Sequence, residues 1–488
     1  MSEINAPNLA RATVSGTLWN YATYYSGRLL VFLSTIILAR LLTEEDFGVA
    51  AYALVAISFL DVMNDFGIGP ALIFHHEKPE TADTAFWLGL AIGFGLFVVS
   101  WFGAVLVGDF FHDPRAVPIT RVLALTFPIS AFGNVHDALL RKRLHFKKRF
   151  IPDLAQAIGK GIISIVLALL GFGAWSLVLG QLAGKFVTVI AYWIVLPWRP
   201  AFRFVRQEAR ALLSFGMNIV WVNLLGILLL NIDYLFVGRF LGAAALGVYT
   251  LAFRIPDLVI MQFCNVIAQV VFPVFARMRD DAAALRRGFI TTTSYVALIT
   301  VPLGLGIALC AQPFVLAFFT DRWVDAIPVM RAIAIYALLL SLTYNAGDVY
   351  KAQGHPDILT KLGIVRLILL APALWWAVTV PANITAVGWT QAFMALIAAA
   401  MFLIVAVKML DTSIWAIVQA LRPAAISGAL MVPAVLAALV LTANMLPIVQ
   451  LIVCVLVGAF VYLGSLWLFQ RELMFQAGKM LFSVMARR

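Results

Sequence analysis

The chain has 488 residues, 63% of them hydrophobic and only 12% charged, against about a quarter charged in an ordinary soluble domain. Its apolar runs are of bilayer length, which excludes a soluble enzyme or binding module and leaves a polytopic helical membrane protein. The formal net charge of +11 would point to nucleic acid in a soluble protein, but here it fits Lys and Arg collecting in cytoplasmic loops.

In chain order the apolar runs predict about fourteen membrane-spanning helices of roughly 20 to 28 residues each. Their limits are 14–39, 47–74, 84–108, 116–140, 151–170, 174–196, 212–238, 246–275, 289–311, 326–350, 357–380, 384–407, 415–441 and 447–469. The connections are short, and no stretch can hold an extramembrane domain. The opening MSEINAPNLARATVSG lacks a basic region followed by a compact apolar core, so no cleaved leader is expected. Cys264, Cys310 and Cys454 stand apart in apolar stretches, with no CxxC or Cys/His cluster to indicate a disulfide framework or a metal site.

Lys and Arg set the orientation. With spans alternating, about 24 fall on the side of Arg141–Arg149 and Arg199–Arg210, and about 6 on the side of Arg40, Arg115 and Arg239. Both termini are therefore expected in the cytoplasm.

The stretch Ala39–Leu54, ARLLTEEDFGVAAYAL, returns without a gap as Gly238–Phe253, GRFLGAAALGVYTLAF. Arg40 falls on Arg239, Leu42 on Leu241, Gly48 on Gly247, Val49 on Val248 and Ala53 on Ala252. A repeat this distant is the trace of a duplicated bundle rather than a short-period solenoid. Six spans per copy is an even number, so the copies are expected to be parallel repeats. The fold class is then an all-α polytopic membrane protein. An N-lobe over 1–205 and a C-lobe over 206–410 are followed by spans thirteen and fourteen with a tail over 411–488.

Polar residues inside apolar runs are the informative ones, because an ionisable side chain at membrane depth is costly and faces a cavity or the bundle interior. Span one carries Asn20, Tyr24 and Arg28, four apart and so on one face. Span two has Ser58, Asp61 and Asp65. Span five has Asp153, Gln156, Lys160 and Ser164, and span six has Gln181, Lys185, Thr188 and Tyr192. The second half carries Asn218, Asn231 and Asp233 on span seven, Arg254 and Asp257 on span eight, Asn345 and Asp348 on span ten, and Arg366 on span eleven. For any one residue simple ion pairing is an adequate account. For the set, several deep cations with carboxylates beside them read better as a hydrated cavity for an anionic group, and Arg suits phosphate through its planar fork. The Gly180–Gly184 spacing reads as close helix packing. Trp19, Trp87, Trp175, Trp198, Trp323 and Trp415 read as an interfacial belt. Arg141–Arg149, RKRLHFKKR, reads as a topology anchor. No phosphate loop, nucleophile elbow or metal motif occurs, so no enzyme is expected.

ARLLTEEDFGVAAYAL, DALLRKRLHF at Asp137–Phe146 and YNAGDVYKAQGHPDILTKLG at Tyr344–Gly363 resemble segments of bacterial polysaccharide exporters. These are the Wzx-type flippases of the multidrug/oligosaccharidyl-lipid/polysaccharide exporter superfamily. The resemblance implies two six-helix lobes in a V around a central cavity. It also implies transfer of undecaprenyl-diphosphate-linked oligosaccharides from the cytoplasmic to the periplasmic leaflet of the inner membrane, for surface polysaccharide synthesis. Cavity arginines on spans one and eight hold the diphosphate in related flippases, a role that falls here to Arg28 and Arg254. Lys160, Lys185, Arg366, Asn20 and Tyr24 join them from the stripes.

The expected mechanism is alternating access. Asp61, Asp65, Asp233, Asp257 and Asp348 are the candidates for coupling to H⁺ or Na⁺, and no cofactor or metal is expected. Expected partners are the lipid-linked oligosaccharide, membrane lipids, and the polymerase and chain-length proteins of the same process; nucleic acid is not expected. Three rival readings stand beside this one: a multidrug antiporter of the same superfamily, a peptidoglycan-precursor flippase, and a membrane polymerase or ligase acting on the same carrier.

Overall fold

The computed structural model of the chain describes residues 29–65, 79–143 and 145–469, together with Gly27 and Leu72. Among these residues there are helices and connecting turns and no strand. In order the helices are α1 (Leu29–Leu41), α2 (Glu44–Asp65), α3 (Pro79–Phe111), α4 (Ala116–Leu123), α5 (Thr126–Lys142), α6 (Phe146–Leu169), α7 (Ala174–Val195) and α8 (Arg206–Pro256). They continue as α9 (Gln262–Arg277), α10 (Ala282–Phe318), α11 (Ala326–Ala352), α12 (Asp357–Thr379), α13 (Ile384–Met409), α14 (Ile414–Leu441) and α15 (Pro447–Phe469).

Among the described residues these helices recover predicted spans two to fourteen and the end of span one, with local chemistry setting the breaks. α4 and α5 form one bent span: Pro128 has no N–H for the Ala124 carbonyl, which accepts from Phe127 N at 3.0 Å instead. Spans seven and eight run together through α8 and part at Gly242, whose φ of +87° only glycine adopts without strain. Pro256 then leads into a turn of π-helix, Asp257–Met261.

The chain forms two compact units, Met1–Gly247 and Val248–Arg488, with α8 running through the boundary. In the first unit α6 and α7 make a hairpin through Gly171 and Gly173, both at positive φ. They pack closely because a Cβ on Gly180 would stand 1.9 Å from Ser164 Oγ and one on Gly184 2.9 Å from Lys160 Cβ. The GxxxG spacing thus serves helix contact, as expected. In the second unit α14 and α15 pack on α10. Tyr462 donates to the Leu298 carbonyl at 2.8 Å, and Gly428 admits Val301 and Leu305. The two spans outside the duplication are therefore part of the second unit's core.

The repeated segments meet each other inside the first unit. A Cβ on Gly48 would lie 1.8 Å from the Ala243 carbonyl oxygen, and one on Gly247 would lie 1.9 Å from that of Glu44. In the gapless alignment Glu44 falls on Ala243, so the two contacts are the same contact made reciprocally, as at a two-fold interface. Tyr52 completes the seam: it is buried, stacks on Phe111 at 4.2 Å and donates to the Gly238 carbonyl at 3.3 Å.

At this end of the unit, between α3 and α4, Arg115 holds Asp113 through paired hydrogen bonds of 2.9–3.2 Å and reaches Glu45 at 2.9 Å. Burial alone would raise the Asp113 pKa, but the hydrogen bonds and charge of Arg115 outweigh it and hold the carboxyl below its ordinary value. A depressed folded-state value contributes stability that is present above the unfolded-state pKa and lost as pH falls through the folded one. Thermal melts of detergent-solubilised wild type and Asp113→Asn should therefore differ at pH 7 and converge as the pH is lowered below about 4. A constant gap across that range would show that the pair contributes nothing through ionisation.

One expectation needs correction. Trp323 does not sit in an interfacial belt; it is fully buried at the short turn Asp321–Trp323. The three cysteines are free thiols, and those of Cys310 and Cys454, on α10 and α15, are within hydrogen-bond reach of each other.

Candidate functional site

Two helix ends and the turn between them build a charged corner in the first unit. α5 ends with Asp137 and Arg141 one turn apart, and α6 begins with Arg149 and Asp153 one turn apart. Between the two helices His145 N donates to the Leu140 carbonyl at 3.0 Å. Asp137 becomes the hub. Its Oδ1 accepts from Arg149 Nε at 2.7 Å and from the Tyr192 hydroxyl of α7 at 2.9 Å, while Arg141 pairs with Oδ2. Behind it His136 is buried between Trp193 and Trp198, which fixes the end of α5.

These groups line a cavity of about 310 Å³. Its walls come from α2 (Asp61, Asn64), α5 (Ser130, Asn134, Asp137, Arg141), α6 (Arg149, Asp153, Gln156) and α7 (Lys185, Thr188, Tyr192). Polar faces of four apolar helices thus converge on one space, which is what the stripes on spans two, five and six implied. Lys185 lines it with no hydrogen bond or ion pair among the described residues. The lining can bind an anion at its arginines and lysine and a cation or proton at its carboxylates.

Of the residues predicted for the site, Asp61 and Lys185 line this cavity. Lys160 does not; its stem packs at the α6–α7 contact beside Gly184, one turn past Gln156. Asp233, on α8, is 1% exposed and lies elsewhere in the same unit. Asn20, Tyr24 and Arg28 and the side chain of Asp65 lie outside the described residues.

The second unit holds a separate polar group. Arg254 and Asp257 flank Pro256 at the π-helical turn. Arg366 on α12 donates to the Tyr336 hydroxyl of α11 at 3.4 Å. Tyr344, also on α11, donates to Met261 Sδ at 3.8 Å and lies within electrostatic reach of both Asp257 and Arg366. So Asp257 and Arg366 face one neighbourhood. Asp348 is apart from it, buried at 2% exposure and paired with Lys351 at 3.2 Å.

Sequence reasoning missed the hub. Asp137 was visible only as the start of a family-like segment, and Arg141 and Arg149 as topology anchors. The signal was present as Asp-x-x-x-Arg before the turn and Arg-x-x-x-Asp after it, a mirrored charge pair that a tight reversal folds onto itself.

Comparison with known proteins agrees with this architecture. The chain is 27% identical over 395 residues to the teichuronic acid biosynthesis protein TuaB of Bacillus subtilis, covering 80% of this chain and 81% of that protein. It is 28% identical over 370 residues to the lipopolysaccharide biosynthesis protein WzxC of Escherichia coli, covering 75% of each. Its fold matches that of the lipid II flippase MurJ in an inward closed conformation. The TM-score is 0.75 over 94% of this chain and 100% of that one, at 14% identity. Residues 37–328, more than half of the sequence, match the polysaccharide biosynthesis protein family, and the chain belongs to that family.

Proposed function

We propose that the protein is a flippase for lipid-linked oligosaccharides, carrying undecaprenyl-diphosphate-bound repeat units from the cytoplasmic to the periplasmic leaflet of the bacterial inner membrane for surface polysaccharide synthesis. The observation that carries this reading is the polar cavity of the first unit. Four apolar helices turn charged faces into one space, in a chain that belongs to a polysaccharide biosynthesis family. A hydrophilic headgroup needs such a space to cross the bilayer, since hydrocarbon satisfies none of its hydrogen bonds. The isoprenoid tail needs none and stays in lipid.

The reading is of a transporter working by alternating access, with both termini in the cytoplasm, which the Lys and Arg asymmetry supports. The cations Lys185, Arg254 and Arg366, with Arg28, Asn20 and Tyr24, serve the headgroup, while Lys160 packs at the α6–α7 contact. Asp61, Asp65, Asp233, Asp257 and Asp348 serve H⁺ or Na⁺ coupling, and a polysaccharide polymerase and chain-length protein act downstream. Deleting the gene should abolish the surface polysaccharide and leave lipid-linked repeat units on the cytoplasmic leaflet, inaccessible to an external glycosidase. Unchanged surface polysaccharide with altered drug resistance would replace this reading with the multidrug one.

A further inference from the structure

The Asp137 hub does something that none of the residues assigned above does. One carboxylate is held by two guanidiniums and a phenol at the edge of a polar cavity of about 310 Å³. A carboxylate gripped by two arginines has the geometry of a phosphate gripped by two arginines, because both present oxygens to the planar N–H forks. We propose that Arg141, Arg149 and Lys185 form a diphosphate subsite in the first unit and that Asp137 is its internal place-holder, displaced from the arginines by the ligand's phosphate oxygens. The proposal rests on the flippase reading and deepens it by naming which groups take the headgroup.

Three observations support the exchange. First, Arg149 and Arg141 have side-chain exposures of 33% and 49%, so a ligand can reach both, whereas Asp137 at 17% is the inner partner. Each guanidinium has five donors, and the bonds to Asp137 do not exhaust them. Second, Lys185 lines the same cavity and brings a third cation to it. Third, the formal charges of Asp61, Asp137, Asp153, Arg141, Arg149 and Lys185 in the lining sum to zero. Such a site is stable when empty and gains a net attraction for anions only when a carboxylate is neutralised or withdrawn.

The source of the diphosphate is indicated by what adjoins the cavity. Val189 of α7 lines both the polar cavity and an apolar groove of about 630 Å³ between α5 and α7. Ile129, Phe132, Phe186, Ile190 and Ile194 form half of that groove's lining, and all but Ile129 are exposed. Gly133 lines the cavity and Phe132 the groove, so neighbouring residues of one helix face the two spaces. A headgroup at the arginines thus has an isoprenoid track beside it, and the ligand class is a polyprenyl diphosphate rather than free pyrophosphate.

The test is calorimetric titration of the full chain in nanodiscs with farnesyl diphosphate, and separately with inorganic pyrophosphate. Arg149→Gln should weaken farnesyl diphosphate binding about tenfold, the loss expected for a charge-assisted hydrogen bond. Lys185→Gln should weaken it several-fold. Asp137→Asn should tighten it, and the gain should vanish in the Asp137→Asn/Arg149→Gln double variant. A purely structural ion pair predicts lower stability in Asp137→Asn with no gain in affinity. If that variant does not fold, Lys185→Gln carries the test, since Lys185 makes no hydrogen bond or ion pair among the described residues. Affinity unchanged in both Arg149→Gln and Lys185→Gln overturns the subsite, as does the absence of binding to wild type. Pyrophosphate binding as tightly as farnesyl diphosphate overturns the lipid track. In cells, full export by Arg149→Gln in the deletion strain overturns the subsite alone, whereas export unaffected by the deletion itself overturns the flippase reading.

Discussion

Replacing Gly48 with alanine is expected to destabilise the first unit by about 1–3 kcal/mol or more, the cost of forcing atoms into a filled contact. The added methyl would lie 1.8 Å from the Ala243 carbonyl oxygen and 2.8 Å from its Cα, so backbone rather than a pliable side chain must yield. Gly247→Ala should cost a similar amount, because its methyl would meet the Glu44 carbonyl oxygen at 1.9 Å. The two losses should not add. Either substitution separates the same pair of segments, so the double variant should fall short of the sum, as coupled sites do. Gly95→Ala is the control: nothing lies within 4 Å of its would-be methyl, and alanine favours helix over glycine by about 0.5–1 kcal/mol. Melting temperatures of the purified variants in detergent check all four. A neutral Gly48→Ala would show that the seam does not need the close approach.

The second large effect is expected at Gly180. Leucine there would drive α6 and α7 apart, since even its Cβ would sit 1.9 Å from Ser164 Oγ and 3.0 Å from the Lys160 carbonyl. These two helices carry Asp153, Gln156, Lys185, Thr188 and Tyr192, so widening their contact moves one wall of the cavity relative to the Asp137 hub on α5. Polysaccharide export should be lost even where the variant still inserts, because a displacement of about 1 Å is enough to uncouple a positioned polar site. The smaller Gly180→Ala should destabilise by about 1–3 kcal/mol. Adding Ser164→Ala, which removes the nearest clashing atom, should recover part of that loss. No recovery would mean that the Ser164 Cβ at 2.9 Å and the Lys160 backbone, not the hydroxyl, limit the contact.

Much of this protein was legible before any coordinates. The fourteen spans follow from apolar length alone, because the bilayer leaves helices of about 20 residues as the only open-chain solution. The separation of spans seven and eight was legible and falls at Gly242, whereas the break before Pro128 lies inside the predicted span 116–140 and was not. The duplication was legible because it preserved Arg, Gly and Val at fixed spacing. The stripes on spans two, five and six were legible because a helix places every fourth residue on one face.

What the sequence could not supply was which stripe meets which. Periodicity tells that Lys160 and Lys185 each lie on a polar face, yet not that one packs beside Gly184 while the other enters the cavity. That is decided by the α6–α7 crossing, set by where two glycines let the helices touch. Periodicity likewise assigned Arg141 and Arg149 to a basic loop, since their partner Asp137 becomes their partner only when the chain doubles back on itself. And the repeat announced two copies of a segment without saying that each copy is the other's binding surface. Sequence determined the helices and their polar faces because those depend on near neighbours along the chain. Tertiary structure alone decided the seam and the Asp137 hub, because both are contacts between backbones and charges that only close packing brings within 3 Å of each other.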